Sequence, residues 1–318
     1  MSNNRETAFG RHTWAGAAVI ILAGLAAARA EVPAGAHSQR PATIPASAAA
    51  APAAMPTPIA LSAHPAAAQP ARPAALHSAI APGPSPAACS APPQFAHLDH
   101  PLLRTARRLA GGKLLTIVAI GSSSTAGAGA SSPAASYPSR LAIELKKLFP
   151  GHDIKVLNRG VNGEETPDMM ARFGTAVIAE HPQLVLWQLG TNSVLRDHPL
   201  KPHSLELREG IEKLQQTGAD LVLIDPQYAP KVLAKPETPG MVDQIALAAK
   251  AENVDLFRRF AVMRSWYEVQ RDSFNIFVSA DGLHMNDWGY ACWAKLLAAS
   301  IADVVTQPIA SAAAHSAP

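Results

Sequence analysis

Short runs of β-branched and other apolar residues alternate with amphipathic stretches along the chain from about residue 114 to about residue 305. Because these runs are apolar without interruption, they indicate strands that are buried on both faces, as in a parallel sheet. The predicted strands are Leu114–Ile120, Ile154–Leu157, Leu184–Leu189, Leu221–Ile224 and Val254–Phe257.

Helical patterns occupy the segments between these strands. The predicted helix Ser139–Phe149 is followed by Gly151, and Leu205–Gln216 is followed by Gly218, as is typical of helix C-termini. The alternation predicts a three-layer α/β/α sandwich with a central parallel, flavodoxin-like sheet and right-handed crossovers. In such sheets ligands bind beyond the carboxyl ends of the strands. The chemistry should therefore follow the strands directly.

The N-terminal segment is typical of an export signal. Arg5 and Arg11 precede an apolar run, Trp14–Ala28, and the small residues at its end fit a cleavage site before Glu31. An uncleaved membrane anchor is the alternative, but the apolar run is short for a full span. We therefore expect a periplasmic or secreted protein, with residues 1–30 removed and no stable membrane insertion after cleavage.

Residues 31–93 are dominated by Ala and Pro and have no apolar periodicity, which is typical of a semi-extended linker. Residues 307–318 resemble it and are predicted to be a disordered tail, which leaves a single domain at 94–306. The first 93 residues contain five basic and two acidic side chains, a surplus that equals the formal net charge of +3. Since the remainder is near neutral and has no basic stripe, no nucleic-acid partner is expected.

Cys89 and Cys292 are the two cysteines of the chain. In an exported protein such a pair can be bridged, which would join the end of the linker to the last helix. Two separate, unreactive thiols are the alternative, and the sequence leaves both interpretations open.

A serine-rich turn, Gly121–Gly127, directly follows the first predicted strand. Such a turn can cap a helix or bind phosphate. Neither nucleotide fingerprint is complete, because the Walker lysine and the Gly-x-Gly-x-x-Gly pattern are both missing. The Gly-x-Ser-x-Gly elbow of α/β-hydrolases is missing too, since Thr125 stands at its second glycine.

Two further segments place small and amide residues near strand ends. Asn192 follows the third predicted strand, and its side-chain amide is able to donate to a developing oxyanion. Gly163 lies in the segment after the second strand, where its lack of a Cβ would let a backbone N–H approach a substrate. Each segment taken alone is also explained by a turn or a helix cap.

A carboxylate precedes a histidine by three residues in Asp281-Gly282-Leu283-His284. At this spacing the carboxylate of Asp281 can accept the Nδ1–H of His284, which leaves Nε2 free to take a proton from a serine hydroxyl. A helix cap beside a solvated histidine is the alternative interpretation. A helix extending to about Val305 is predicted to follow.

Taken together, the four segments resemble the blocks of the SGNH/GDSL-type serine hydrolases, which supply a serine, a glycine, an asparagine and a histidine in this order. The resemblance covers about residues 114–297. It implies a catalytic triad of Ser123, Asp281 and His284, and an oxyanion hole formed by Ser123, Gly163 and Asn192. It implies neither a cofactor nor a metal.

The chain departs from the family pattern at Ser122, where aspartate is usual, and at Ser193, where the third block usually has another aspartate. These departures put in doubt the hydrogen bonds that connect the segments after the first and third predicted strands. The expected activity is hydrolysis of short acyl esters, such as O-acetyl groups on envelope or extracellular polysaccharide. A lysophospholipase or arylesterase and a catalytically inactive carbohydrate-binding relative are the alternatives.

Overall fold

The computed structural model describes residues 89–269 and 273–306. The predicted signal segment 1–30, the linker up to residue 88 and the tail 307–318 lie outside these residues. Within the described part of the chain, no helix has the length and apolar character that a membrane span requires.

Five parallel strands form one sheet in the order β2-β1-β3-β4-β5, which confirms the predicted flavodoxin-like arrangement. The strands are β1 Leu115–Gly121, β2 Ile154–Gly160, β3 Leu184–Gln188, β4 Asp220–Ile224 and β5 Asp255–Phe257.

Strand β2 extends three residues beyond the predicted end at Leu157, because it lies at the edge of the sheet and its last residues need not be apolar. Its second half pairs Asn158 with Ala119 and Arg159 with Ile120. Edge positions are open to solvent on one side, so they tolerate polar side chains that break the apolar run used to predict the strand.

Helices cover both faces of the sheet. Those in the described residues are α1 Leu103–Ala110, α2 Ser123–Ala126, α3 Tyr137–Leu148, α4 Thr166–Ala171, α5 Phe173–Ala176, α6 Thr191–Leu195, α7 Leu200–Gln215, α8 Pro230–Leu233, α9 Thr238–Ala251, α10 Arg259–Val269 and α11 Asp287–Thr306. Short 3-10 helices occur at Pro133–Ala135, Ile178–Glu180 and Phe274–Ile276.

The three predicted helices correspond to α3, α7 and α11. Helix α7 begins at Leu200, five residues before the predicted start at Leu205. Pro202 lies in its first turn, where a backbone N–H has no intrahelical partner, so proline does not interrupt the helix.

Two apolar cores lie on opposite faces of the sheet, because successive strand side chains point in opposite directions. Ile117 and Ala119 belong to the core that also contains the buried faces of α3 and α11. Val118 and Ile120 belong to the core that contains those of α7 and α9. The predicted three-layer sandwich is therefore confirmed.

A disulfide joins Cys89 to Cys292 in α11, across a sequence separation of 203 residues. Next to it, the indole Nε1–H of Trp266 donates to the carbonyl oxygen of Ser90 at 2.9 Å. The structure therefore selects the bridged alternative. The last residues assigned to the linker in the sequence analysis, 89–93, are attached to the domain through these two contacts.

Candidate active site

Ser123 is the first residue of α2, two residues beyond the carboxyl end of strand β1, which lies between β2 and β3 in the sheet. Its side chain is largely buried. The first N–H groups of a helix have no intrahelical acceptor, so the backbone N–H of Ser123 is not used within α2.

His284 joins Ser123 to Asp281. Its Nε2 lies 2.8 Å from Ser123 Oγ, and its Nδ1 lies 2.5 Å from Asp281 Oδ2. With the proton on Nδ1, donated to the carboxylate, Nε2 is the acceptor that faces the serine hydroxyl. The structure thus brings together the three side chains that the sequence analysis assigned to a triad, over a sequence separation of 161 residues between Ser123 and His284.

The short segment around Asp281 folds back onto its carboxylate. Oδ1 accepts the backbone N–H groups of Leu283 and His284 at 2.9 Å each and the hydroxyl of Ser279 at 2.7 Å. Desolvation favours the protonated acid, but the hydrogen bonds from His284, Ser279 and these N–H groups outweigh it and lower the pKa of Asp281. The carboxylate is therefore ionised at neutral pH and able to stabilise an imidazolium.

Gly163, in the loop after β2, and Asn192, the second residue of α6 after β3, lie at the same edge of the sheet. Gly163 has a φ of 81°, a left-handed conformation that glycine adopts without steric cost. The Asn192 side-chain amide donates to the carbonyl oxygen of Glu164 at 2.7 Å, and Arg196 Nη2 donates to that of Gly163 at 2.8 Å. A primary amide has two donors, so Asn192 retains one beyond its bond to this loop.

Gln188, the last residue of β3, binds the serine turn at Ser122, the position where the family pattern has an aspartate. Its side-chain Oε1 accepts the backbone N–H of Ser122 at 3.0 Å, the Ser122 hydroxyl at 3.2 Å and the Thr125 hydroxyl at 3.1 Å. All three residues are buried. The first and third loops are therefore connected through the Gln188 amide, and Ser122 takes part in that connection.

Ser193, the other position that departs from the family pattern, lies beside Glu165, the residue before helix α4. Desolvation raises the pKa of the Glu165 carboxyl group, but its interactions with Ser193, Arg196 and His198 outweigh this effect, and the pKa of Glu165 is lowered. The contact distances are 2.5 Å from Arg196 Nη1 and 2.9 Å from His198 Nδ1. Two basic side chains thus hold the Glu165 carboxylate next to position 193, where the family pattern has an aspartate.

Arg172 connects the ends of two strands to the Gly163 loop. Its guanidinium forms an ion pair with Glu164 and donates through Nη2 to the carbonyl oxygens of Arg159 in β2 at 2.7 Å and of Gly121 in β1 at 3.4 Å. This arginine and Arg196 stabilise the loop from two sides.

The sequence analysis did not identify Gln188, Arg172 or Arg196. Gln188 carries a signal that could have been used, since it is a polar residue at the end of an otherwise apolar strand. The two arginines lie at helix ends, Arg172 between α4 and α5 and Arg196 directly after α6, and give no such signal. Among residues 89–269 and 273–306, no group of three or more His, Cys, Asp or Glu side chains is arranged to hold a metal ion.

Comparison with known families and proteins places this geometry in context. The model of the non-GDSL lipase-like family matches residues 88–307. An arylesterase from Vibrio mimicus is 33% identical over 95 residues, which are 30% of this chain and 46% of that protein. An acetylxylan esterase from Geobacillus stearothermophilus is 33% identical over 79 residues, which are 25% of this chain and 36% of that protein. The chain thus matches less than half the length of both relatives.

Solved structures share the fold at low sequence identity. A two-domain esterase active on acetylated mannans superposes with a TM-score of 0.59 at 19% identity, covering 70% of this chain and 59% of that one. A variant of an acetyl-xylooligosaccharide esterase from Geobacillus superposes with a TM-score of 0.50 at 21% identity, covering 59% of this chain and 94% of that one.

Proposed function

The chain belongs to the non-GDSL lipase-like family, an SGNH/GDSL-type family, and from this premise we propose that it is an exported serine esterase that hydrolyses short acyl esters. One observation carries the proposal. His284 lies 2.8 Å from the hydroxyl of Ser123 on one side and 2.5 Å from the carboxylate of Asp281 on the other. This arrangement activates a serine for attack on a carbonyl carbon.

In the acylation half of the proposed reaction, Ser123 Oγ forms a bond to the carbonyl carbon while its proton moves to His284 Nε2. The tetrahedral intermediate collapses with cleavage of the ester C–O bond, and His284 returns the proton to the departing alcohol. In the second half, water gives a proton to His284 Nε2 while its oxygen bonds to the acyl carbon. The intermediate collapses with cleavage of the bond between that carbon and Ser123 Oγ, and His284 returns the proton to Oγ, which releases the carboxylic acid and free Ser123.

The negative charge on the intermediate oxygen would be stabilised by the backbone N–H groups of Ser123 and Gly163 and by the second amide hydrogen of Asn192. Support comes from their common position at the carboxyl edge of the sheet. Removing one such donor typically lowers turnover about 100- to 1000-fold, so this is the loss expected for Asn192→Ala.

Short acyl esters, such as O-acetyl groups on an envelope or extracellular polysaccharide, are the preferred substrate class. Similarity to an acetylxylan esterase supports this choice. Similarity to an arylesterase favours a second candidate, hydrolysis of aryl esters. The Cys89–Cys292 disulfide supports export, because such bonds persist mainly in oxidising compartments.

The test combines a substrate series with active-site labelling of the exported, purified protein. Aryl acetates, longer aryl esters, acetylated xylan and a lysophospholipid are compared for turnover, and a fluorophosphonate probe is used to label the nucleophile. We expect acetyl esters to be preferred, labelling to be lost in Ser123→Ala, and labelling to persist in Ser124→Ala. Ser124 is a buried serine of the same short helix and serves as the matched control.

Three outcomes contradict parts of the proposal. Labelling that persists in Ser123→Ala identifies a different nucleophile. A folded protein that binds an acetylated glycan without labelling or turnover is an inactive carbohydrate-binding relative. Preference for lysophospholipid or for long acyl chains rejects the proposed substrate class but leaves the triad intact.

A further inference from the structure

A buried polar network lies behind the triad, at the carboxyl end of β4. Its members are Asp225 and Gln227, which follow β4, and Arg259, the first residue of α10. All three are at most 1% exposed to solvent. Burial of so many polar groups in one place is costly unless they are hydrogen-bonded, so their partners indicate what the network holds in position.

The guanidinium of Arg259 is fixed in two directions. Its Nε donates to the carbonyl oxygen of Asp225 at 2.9 Å, and its Nη2 donates to Gln227 Oε1 at 3.0 Å. The group also lies over the Trp293 ring, 4.9 Å from the ring centroid. Burial lowers the pKa of Arg259 to about 10, opposed by the charge of Asp225, so the guanidinium is still protonated at neutral pH.

Arg259 determines which way the amide of Gln227 points. A guanidinium has only donors, so the group that faces it must be the amide oxygen. The same oxygen accepts the hydroxyl of Thr191 at 2.9 Å. The amide NH₂ consequently points the other way, where it donates to the carbonyl oxygen of Leu283 at 3.3 Å.

These two contacts of Gln227 end beside the reacting groups. Leu283 immediately precedes His284, and the backbone N–H groups of both residues are bound by Asp281. Thr191 immediately precedes Asn192. The Gln227 side chain therefore connects the loop that carries the base to helix α6, which carries the amide donor.

We propose that Gln227 and Arg259 are positioning residues of the active site. Arg259 orients the Gln227 amide, and Gln227 holds the loop that carries His284 in place relative to helix α6, which carries Asn192. The inference rests on the proposed esterase function, and it adds two residues, outside the four family blocks, on which the rate should depend.

The decisive variant is Gln227→Glu. A carboxylate of nearly the same shape still accepts hydrogen bonds from Arg259 and Thr191, but it has no donor for the Leu283 carbonyl oxygen. Gln183→Glu is the matched control at the opposite end of the sheet. Gln183 is also a buried glutamine, whose Oε1 accepts the Thr116 N–H at 2.9 Å and whose Nε2 donates to a backbone carbonyl, that of His181, at 3.0 Å.

We expect Gln227→Glu to lower kcat by about 10- to 100-fold, as a small displacement of a catalytic group does, with little change in KM. The downfield proton resonance of the His284 Nδ1–H should shift or broaden. Gln183→Glu should leave kcat and this resonance unchanged, even if it lowers Tm as much as Gln227→Glu does. If Gln227→Glu does not fold, Gln227→Met is measured in its place. It removes the donor to Leu283 and also the acceptor for Arg259 and Thr191, without adding a charge, and the same fall in kcat is expected.

The outcomes separate this inference from the proposed function. If the wild-type protein hydrolyses acetyl esters but the variant at position 227 keeps its kcat and the His284 resonance, the positioning role is wrong. If kcat falls equally in the variants at positions 183 and 227, the effect is general destabilisation and the inference is also wrong. If the wild type has no esterase activity, the proposed function fails, while the His284 resonance still decides whether Gln227 orients the loop.

Discussion

Gly129 lies directly against His284. A Cβ atom on residue 129 would be 2.8 Å from the Cβ of His284 and 2.5 Å from the carbonyl oxygen of Met285. Non-bonded carbon atoms normally approach to about 3.5–4.0 Å, so no larger residue fits without displacing the base. The φ of 85° at this position independently favours glycine.

Gly129→Ala should therefore reduce turnover more than its cost in stability explains. The added methyl group pushes on the Cβ of His284 and on the Met285 carbonyl oxygen, so we expect kcat to fall by about 100-fold, the effect typical of a displacement near 1 Å. Gly151→Ala is the control, because Gly151 has a similar φ of 82° but no atom within 4 Å of the place where the methyl group would be added. Measuring Tm and kcat for both variants separates backbone strain from contact. Equal kcat values in the two variants would contradict the contact argument.

Asp281→Asn should preserve the fold and lower turnover severely. An amide can donate to Nδ1 and so favour the wrong imidazole tautomer; the corresponding change in a serine protease lowers kcat by about 10⁴-fold. KM should change much less, because the defect lies in proton transfer. The measurement compares kcat and KM of this variant with those of His284→Ala. Near-normal turnover in Asp281→Asn would mean that another group orients the histidine.

The lowered pKa of Asp281 also predicts a pH dependence of stability. A carboxylate that is less basic in the folded state than its ordinary value of 3.8 stabilises the fold when ionised, and this contribution is lost as the pH falls below that value. The difference in the free energy of unfolding between wild type and Asp281→Asn should therefore be constant between about pH 5 and pH 8. This window begins about one unit above the ordinary aspartate pKa. The difference should shrink toward about pH 3 in urea denaturation. The side chain is 42% exposed, so the effect will be small. A difference that grows on acidification would reverse the assigned direction.

The sequence was sufficient to predict the sheet and the reacting groups because both leave local signals. Buried parallel strands such as β1 and β3 are continuous apolar runs, and Ser123 lies in the turn that follows one of them. The Asp281–His284 spacing is likewise local, since both the carboxylate and the imidazole lie within one short loop.

The supporting residues could not be predicted because their partners are distant in sequence. Gln227 contacts residues 36 and 56 positions away, and nothing in the segment around it specifies either contact. Gly129 is similar, since its closeness to His284 arises only when the sheet brings the two loops together. What the sequence lacks is therefore the pairing of loops across the carboxyl edge, which tertiary packing determines.

The boundary of the linker leads to a final prediction, in which residues 31–88 are dispensable but 89–93 are not. A chain beginning at Cys89 keeps the disulfide to Cys292 and the hydrogen bond from Trp266 to Ser90, whereas one beginning at Gln94 loses both. Removing a native disulfide typically costs about 2–5 kcal/mol, so the shorter chain should have a clearly lower Tm.

Both chains are to be exported behind residues 1–30, so that the bridge can form, and then compared by thermal denaturation and by turnover of an acetyl ester. The control is the double substitution Cys89→Ala and Cys292→Ala in the longer chain, which removes the bridge but keeps Ser90 and its contact. We expect the longer chain to match the full-length protein in Tm and kcat. The double variant should have a clearly lower Tm, and the Tm of the shorter chain should be slightly lower still. Equal Tm values for the chains beginning at Cys89 and Gln94 would return residues 89–93 to the linker. Loss of activity in the longer chain would instead mean that residues 31–88 contribute to the folded domain.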